Sequence, residues 1–533
     1  MKPSIDALVI GAGHNGLTCA CYLARAGLKV QVIEQRAVVG GAAVTEAFYP
    51  GFRNSVAAYT VGLLHSKVMR DLRLAEHGLR IVERPFANFL PLERGQYLKV
   101  GGGLAATQQE LARFSARDAE RLPAYWARLE RVADALRELM LQTPPNSGGG
   151  WADLLNAIQA GRVLRALDIE ARRDLLTLFT GSATQWLDRW FDSEGIRAAL
   201  GFDAVVGNYA SPTHPGTAYV LLHHCFGEVN GRKGAWGHAI GGMGAITQAM
   251  AAEAKQLGVE ITCATAVTKV NVTQGRAVGV TLDDGRTLDA QRVIANVTPP
   301  RLFLQLLSPS ELPDAFVSRM QHYQSGSASF RMNVALSALP RFASHPTPSA
   351  HHATGIIMAP SLKYMDQAYL DARALGMATA PIVEMLIPST LDDSLAPPGA
   401  HVASLFCQHF DPNIDWSARK PEAIEKIFSV VEHHAPGFRA SVIAHSALSP
   451  ADLETQFGLT GGDIFHGALR LDQLWSARPL LGHADYRTPL HGLYLCGSGA
   501  HPGGGVTGVP GHNCAREVLR DRGRAWRGAS LYA

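Results

Sequence analysis

Apolar residues recur along this chain in two rhythms, short unbroken runs and long three- and four-residue spacings, and their alternation predicts strands interrupted by helical insertions. The first run, Ala7-Leu8-Val9-Ile10, reads as a strand and enters Gly11-Ala12-Gly13-His14-Asn15-Gly16. A helix from Asn15 to Arg25 follows, then a second strand, Leu28 to Ile33, closed by Glu34. From Thr107 to Leu141 the period changes: Leu111, Phe114, Leu122, Tyr125, Leu129, Val132, Leu136 and Leu139 fall at helical intervals. Thr143-Pro144-Pro145-Asn146-Ser147-Gly148-Gly149-Gly150 breaks that run, and a second helical stretch is predicted from Trp151 to Trp190. Helices on this scale, inserted after a first strand-helix-strand unit, predict a cap over a substrate.

The opening fold is expected to resume at Gly241-Gly242-Met243-Gly244, which opens a helix from Ala245 to Leu257. Strands at Val259 to Thr262 and Ala266 to Val270 come next, then a hairpin from Val278 to Leu288 turning at Asp284-Gly285. Arg292 to Asn296 reads as one more short strand, ended by Pro299-Pro300. From Arg301 to about Leu480 a second insertion of mixed strand and helix is predicted, with residues 340–349 as an exposed loop. A buried strand, Gly492 to Cys496, and a helix from His512 to about Arg520 end the chain.

The glycines between these elements carry the chemistry. In G-x-G-x-x-G, Gly11 allows the tight turn from strand to helix, Gly13 lets a pyrophosphate approach the backbone, and Gly16 lets helix and strand pack closely. The helix then points its first NH groups at the phosphates. Glu34 can accept both hydroxyls of a ribose and would repel a 2′-phosphate, which disfavours NADP and leaves FAD and NAD open. A second doublet, Gly40-Gly41-Ala42-Ala43, favours a flavin, because it lets the chain wrap back along the dinucleotide. Ala42 stands where many flavoproteins carry an arginine, and Arg36 is the candidate substitute, with an exposed salt bridge as its alternative role. Near the C-terminus Gly503, Gly505 and Gly508 also satisfy G-x-G-x-x-G, but no second strand or ribose acid follows. This loop reads instead as a flavin segment in which Pro510 starts a helix where no NH is needed. NH groups near Gly508 and Val509 would then face the pyrimidine edge of the ring. The expected cofactor-binding set is Gly11, Gly13, His14, Asn15, Gly16, Glu34, Gln35, Gly40, Gly41, Ala42, Ala43, Val267, Gly497, Ser498, Gly508 and Val509.

With these motifs in place, the chain from Asp6 to the C-terminal helix resembles the phytoene-desaturase-like FAD oxidoreductases. The matching stretches include Val9 to Gly16, Leu221-Leu222-His223-His224, Gly234-Ala235-Trp236-Gly237, Gly241 to Gly244, Gly461 to His466, and Leu493 to Gly505. The resemblance implies an α/β fold with a discontinuous, Rossmann-like FAD-binding domain of the glutathione-reductase type, an inserted α+β substrate domain and a helical cap. The expected division is 1–90, 232–300 and 482–533 for FAD, and 91–231 and 301–481 for substrate and cap. It implies hydride transfer between an apolar, isoprenoid-like molecule and the flavin N5, in a dehydrogenase, desaturase or saturase. Two alternatives stay open: an amine oxidase or monooxygenase, and a non-catalytic carrier of apolar cargo on the same fold, resembling Rab GDP-dissociation inhibitors.

His223, His224, His238, His466 and His501 are candidate proton carriers, and His501, beside the glycine loop, is the expected catalytic residue. Read as strand neighbours, His223 and His224 point apart, so no metal site is expected there. Net charge narrows the partners: +3 on 533 residues, with no basic block, gives nucleic acid no electrostatic footprint. No apolar run approaches ~18 residues, and a strand beginning near Ile5 leaves no room for a signal peptide. A cytoplasmic protein is expected, with peripheral membrane contact left open. The seven cysteines include no C-x-x-C, which argues against disulfide chemistry.

Overall fold

The computed structural model describes residues 5–521. A five-stranded parallel sheet forms its base, in the order Glu260–Thr262, Val30–Ile33, Ala7–Ile10, Val293–Ala295, Leu493–Leu495. Ala7–Ile10 is buried along its whole length, as expected where helices cover both faces of a parallel sheet. The strand order brings the first and last strands within one neighbour of each other, although most of the chain lies between them. Helix His14–Arg25 packs against both Gly244–Gln256 and the C-terminal helix Val509–Arg520. At Gly511 a β-carbon would lie 2.1 Å from the backbone oxygen of Asn15, so only glycine permits the helices to meet this closely. The hairpin predicted around Asp284-Gly285 joins Arg276–Leu282 to Thr287–Asp289, and Val267–Thr273 completes its small antiparallel sheet.

A seven-stranded sheet forms a second layer, in the order Val442–Leu448, Ser329–Leu336, His401–Phe410, Met377–Leu386, Gly355–Met358, Asn88–Pro91, Tyr97–Val100. Its pairs are antiparallel except Gly355–Met358 with Asn88–Pro91. Asn88–Pro91 therefore straddles the seam expected at residue 90 and is built into the second sheet.

Seven helices between residues 104 and 223 make the cap, and here the elements are shorter than their apolar period predicts. The single helix expected from Thr107 to Leu141 is two, Leu104–Ala112 and Ala116–Met140. Ser115 causes the break by accepting a bond from the Asp118 NH, an N-cap that starts the second helix afresh. The stretch from Trp151 to Trp190 likewise divides into Trp151–Ala166, Ile169–Thr180 and Ala183–Asp188. Asp168 caps the second of these and a Ser182–Gln185 capping box opens the third. His223 ends the helix Thr217–His223 and His224 caps it, so the pair lies at a helix terminus rather than on the strand expected from sequence.

Candidate active site

A cleft opens at the carboxyl ends of Ala7–Ile10, Val30–Ile33 and Val293–Ala295, the edge at which parallel sheets take ligands. It encloses about 810 Å³ of space between atoms, open to solvent on one side. The glycine turn forms its floor. Gly11 has φ +94°, and a β-carbon there would sit 3.1 Å from the Asn296 carbonyl; one on Gly16 would sit 2.1 Å from the Gly11 oxygen. The floor is thus pressed against the neighbouring strand with no room for side chains. Gly13 precedes helix His14–Arg25 without a side-chain cap, and no acid occupies the first turn, so its NH groups and positive end face the cleft uncontested.

Glu34 stands at the end of the second strand, 4% exposed, and accepts bonds from the Ala12 NH at 2.7 Å and the Arg36 NH at 2.9 Å. Each carboxylate oxygen is held by one backbone donor and keeps a lone pair for a diol. The two ends of the chain meet beside it, where Asn15 Nδ2 donates to Ser498 Oγ at 3.1 Å. Four buried polar atoms of cleft-lining residues lack hydrogen-bond partners: Asn15 Oδ1, His14 Nε2, His466 Nδ1 and Arg36 Nη1. Burial pushes the imidazoles down to about 4 for His14 and about 3 for His466, so both are neutral hydrogen-bonding groups at pH 7. A glycine floor, a free helix start, a diol-accepting carboxylate and unpartnered polar atoms fit a dinucleotide with a diphosphate and a ribose.

Of the expected cofactor residues, Gly11, Gly13, His14, Asn15, Glu34, Gln35, Gly41, Ala42, Val267 and Ser498 line this cleft. Gly16, Gly40, Ala43 and Gly497 lie outside that lining; Gly40 donates its NH to the Ala12 carbonyl at 2.9 Å, and a Gly497 β-carbon would meet the Val297 carbonyl at 3.2 Å. Gly508 and Val509 begin the last helix, where Gly508 adopts φ +74° and abuts Val68 and Thr18. Arg36, the candidate replacement for the missing arginine at Ala42, pairs with Glu46 at 2.6 Å and lies over the Phe457 ring. The cation at the cleft that sequence reasoning missed is Arg301, which donates to Gln35 at 2.8 Å. Asn296 was missed too, although it ends a predicted strand at the ligand-bearing edge, which is the signal that could have found it. Phe457, Gly458 and Leu459 reach the cleft from the far insertion, and nothing local in the sequence announces them.

A second cavity, about 1360 Å³ of open space, lies under the cap. Leu136, Leu139, Leu164, Leu175, Phe179 and Leu474 give it an apolar wall, and His501 and Pro502 of the glycine loop form part of it. His501 Nε2 lies 3.1 Å from the Leu139 carbonyl. A carbonyl can only accept, so the proton sits on Nε2 and Nδ1 carries the lone pair. The ring meets Trp475 edge-on at 4.7 Å, and burial pushes its pKa down to about 3. His501 is therefore neutral and held in place, a weak base at pH 7. The other candidate histidines scatter: His224 Nδ1 bonds the Val220 carbonyl, His238 bonds Asp392, and His466 lies in the first cleft. His223 is buried with neither ring nitrogen partnered, one ring away from Tyr219 and Phe226 of the cavity wall.

A buried polar group at the second sheet went unread in the sequence. Tyr59 donates to Glu384 at 2.5 Å, and the Arg331 guanidinium lies 4.4 Å over the Tyr59 ring while donating to Ser404. Burial raises the Glu384 pKa, so this carboxyl sits closer to its neutral form than an exposed one. A lone arginine in the middle of the apolar run Phe330-Arg331-Met332 was the available signal.

Comparison with known proteins agrees with this geometry. Residues 16–330 match the family described as flavin containing amine oxidoreductase. The mouse protein named pyridine nucleotide-disulfide oxidoreductase domain-containing protein 2 is 41% identical over 548 residues, spanning 98% of this chain and 94% of its own. A lycopene-forming phytoene desaturase of Pantoea ananas is 25% identical over 518 residues, covering 96% of this chain and 97% of its own. Among solved structures, cyclohexylamine oxidase from Brevibacterium oxydans superposes with a TM-score of 0.59 at 16% identity, covering 98% of this chain and 100% of that one, a likeness of fold.

Proposed function

The chain belongs to the flavin containing amine oxidoreductase family and is an FAD-dependent oxidoreductase, and from that premise we propose that it adds or removes hydrogen on an apolar, isoprenoid-like molecule held under the cap. The observation that carries this reading is the glycine loop: Ser498 lines the polar cleft, while His501 and Pro502, a few residues on, line the apolar cavity. One short segment borders both spaces, so a molecule in the cavity lies beside whatever the cleft holds.

In this reading residues 1–90, 232–300 and 482–533 bind FAD, with Asn88–Pro91 contributed to the substrate sheet. Glu34 takes the ribose, and the NH groups after Gly13 take the diphosphate. Bound FAD supplies a two-electron acceptor for hydride. The leucine wall excludes water and fixes the reacting carbon, and such orientation supplies much of the rate advantage. His501 Nδ1 is the proposed site for the accompanying proton, its ring aimed by the Leu139 carbonyl and Trp475. Peripheral membrane contact belongs to the same reading, since apolar molecules of this kind reside in lipid. No helix among the described residues is long and apolar enough to cross a membrane.

Anaerobic mixing of the yellow protein with detergent-dispersed isoprenoids and with primary amines, followed near ~450 nm, tests this reading. Bleaching by isoprenoids alone is the expected result. Bleaching by amines alone would replace it with the amine oxidase reading, and rapid bleaching by NADH alone would contradict the expectation, from the single complete strand-glycine-helix-strand fingerprint, that re-oxidation and reduction do not use a nicotinamide.

A further inference from the structure

Helix Trp151–Ala166 presents its apolar stripe to the outside. Trp151, Leu154, Leu155 and Ile158 follow the i, i+3, i+4, i+7 spacing that ordinarily faces a core, yet they are 83%, 48%, 64% and 45% exposed. The face turned inward holds Ala160 and Val163. Further along the same outward face come Arg162 and Arg165, both exposed. The next helix, Ile169–Thr180, adds exposed Ile169 and Leu176 and the cations Arg172 and Arg173.

Residues 151–180 carry four arginines and four acids, Asp153, Asp168, Glu170 and Asp174, but three of the acids are taken by arginines of another helix. Asp168 is paired with Arg131, and Glu170 and Asp174 with Arg128. No ion pair among the described residues engages Arg162, Arg165, Arg172 or Arg173. The apolar cavity lies under these helices, lined by Ala160 and Leu164 of the first and Leu176 of the second, and Leu176 together with Leu471 and Leu481 of a later segment, 65%, 54% and 51% exposed, marks its mouth.

We propose that this face docks on an anionic phospholipid surface, with the Trp151 stripe among the acyl chains, the arginines at the phosphates and the cavity mouth opening onto the bilayer. The inference rests on the reading of the cavity as an apolar-substrate site and supplies its entry route: the molecule passes from lipid to protein without crossing water. The helix is apolar on its inward face as well, so the outward stripe is not needed to close the cap, and tryptophan and leucine followed along one face by arginines is a composition suited to a lipid interface. A protein partner or a second copy seated here would close the mouth, whereas a fluid bilayer covers it and leaves it passable.

The test uses full-length, FAD-loaded protein in flotation with vesicles of phosphatidylcholine alone and of phosphatidylcholine mixed with phosphatidylglycerol. The wild type is expected to float with the mixed vesicles and to be released by high salt. Combined Trp151→Ser, Leu154→Gln, Leu155→Gln and Ile158→Gln should lower the bound fraction by about tenfold or more, with flavin absorbance unchanged. Arg162→Glu with Arg165→Glu should remove the preference for the mixed vesicles. A wild type that floats with neither vesicle at low salt overturns the proposal, as does a stripe variant that floats equally well. So does a wild-type dimer in sedimentation that the stripe variant turns into a monomer. Uptake of an apolar dye in vesicle-free solution, removed by Ala477→Trp, reports on the cavity separately. A wild type that floats but takes up no dye sinks the substrate reading and leaves the docking face standing.

Discussion

The nucleotide cleft and the apolar cavity share a loop but are built on opposite terms. The cleft has a backbone floor: Gly11, Gly13 and Gly41 lie there, its charge is the single acid Glu34 with Arg36 and Arg301, and a β-carbon on any of those three glycines would meet a neighbour within 3.3 Å. The cavity is assembled from side chains on six separated segments, with leucine predominating, and its shape follows from how the cap helices rest on one another. The difference teaches where tolerance lies. A site made of close backbone contacts fails at one added methyl group, whereas a site walled by leucines changes its size gradually.

The largest expected effect comes from pushing on the backbone contact behind that floor, where helix Val509–Arg520 meets helix His14–Arg25. Gly511→Val drives a β-carbon into the Asn15 oxygen at 2.1 Å, a fixed neighbour, and should cost more than ~3 kcal/mol. The variant should purify without flavin and melt early; a yellow protein with the wild-type melting temperature would break the comparison. Next in size, Glu34→Ala leaves the Ala12 and Arg36 NH groups without their acceptor, at roughly 1–3 kcal/mol for a buried group. Fluorescence titration with FAD should show at least about tenfold weaker binding, while apolar dye uptake stays intact. Ala477→Trp sharpens the contrast from the cavity side. It should keep the full flavin spectrum and raise KM for an apolar substrate by roughly tenfold, the scale of a lost apolar contact.

His501→Gln is expected to slow anaerobic flavin reduction by about tenfold, at the low end of acid-base catalysis, with FAD still bound; unchanged kinetics would assign His501 to structure alone. Last comes an effect that vanishes at neutral pH and appears only on acidification. His409 and His501 are buried with pKa pushed down to about 3, against about 6.5 in the unfolded chain. Between those values the unfolded state binds protons the folded state does not, so this contribution is complete above pH 6.5 and declines as pH falls toward 3. Each histidine should give a slope of up to about 1.4 kcal/mol per pH unit in urea melts. The His501→Gln variant should show the shallower slope; equal slopes would deny His501 its burial.

What could be read from the sequence follows the same division. Gly11 through Glu34 is contiguous, each residue type answering one local demand, so the turn, the helix and the acid closing the second strand were legible in the sequence. Arg301 and Phe457 arrive through chain folding across hundreds of residues, and no short window contains that information. In the cap, helical periodicity located the helices and hid their ends: Ser115, Asp168 and Ser182 carried readable capping signals that the apolar rhythm overran. The same periodicity cannot tell an inward stripe from an outward one, so the outward turn of Trp151 to Ile158 within the predicted cap was not legible.

The bond between Asn15 and Ser498 spans 483 residues of chain, and it has a consequence for biosynthesis. At roughly 5–20 residues per second, the ribosome delivers Ser498 about half a minute to a minute and a half after Asn15 has emerged. Throughout that interval the glycine turn waits for its closing helix Val509–Arg520, and for more than half of it the apolar first strand lacks its neighbour Val293–Ala295. A translating ribosome thus holds this protein in an unfinished, adhesive form for most of its synthesis, and a nascent-chain chaperone is the natural custodian of that pause.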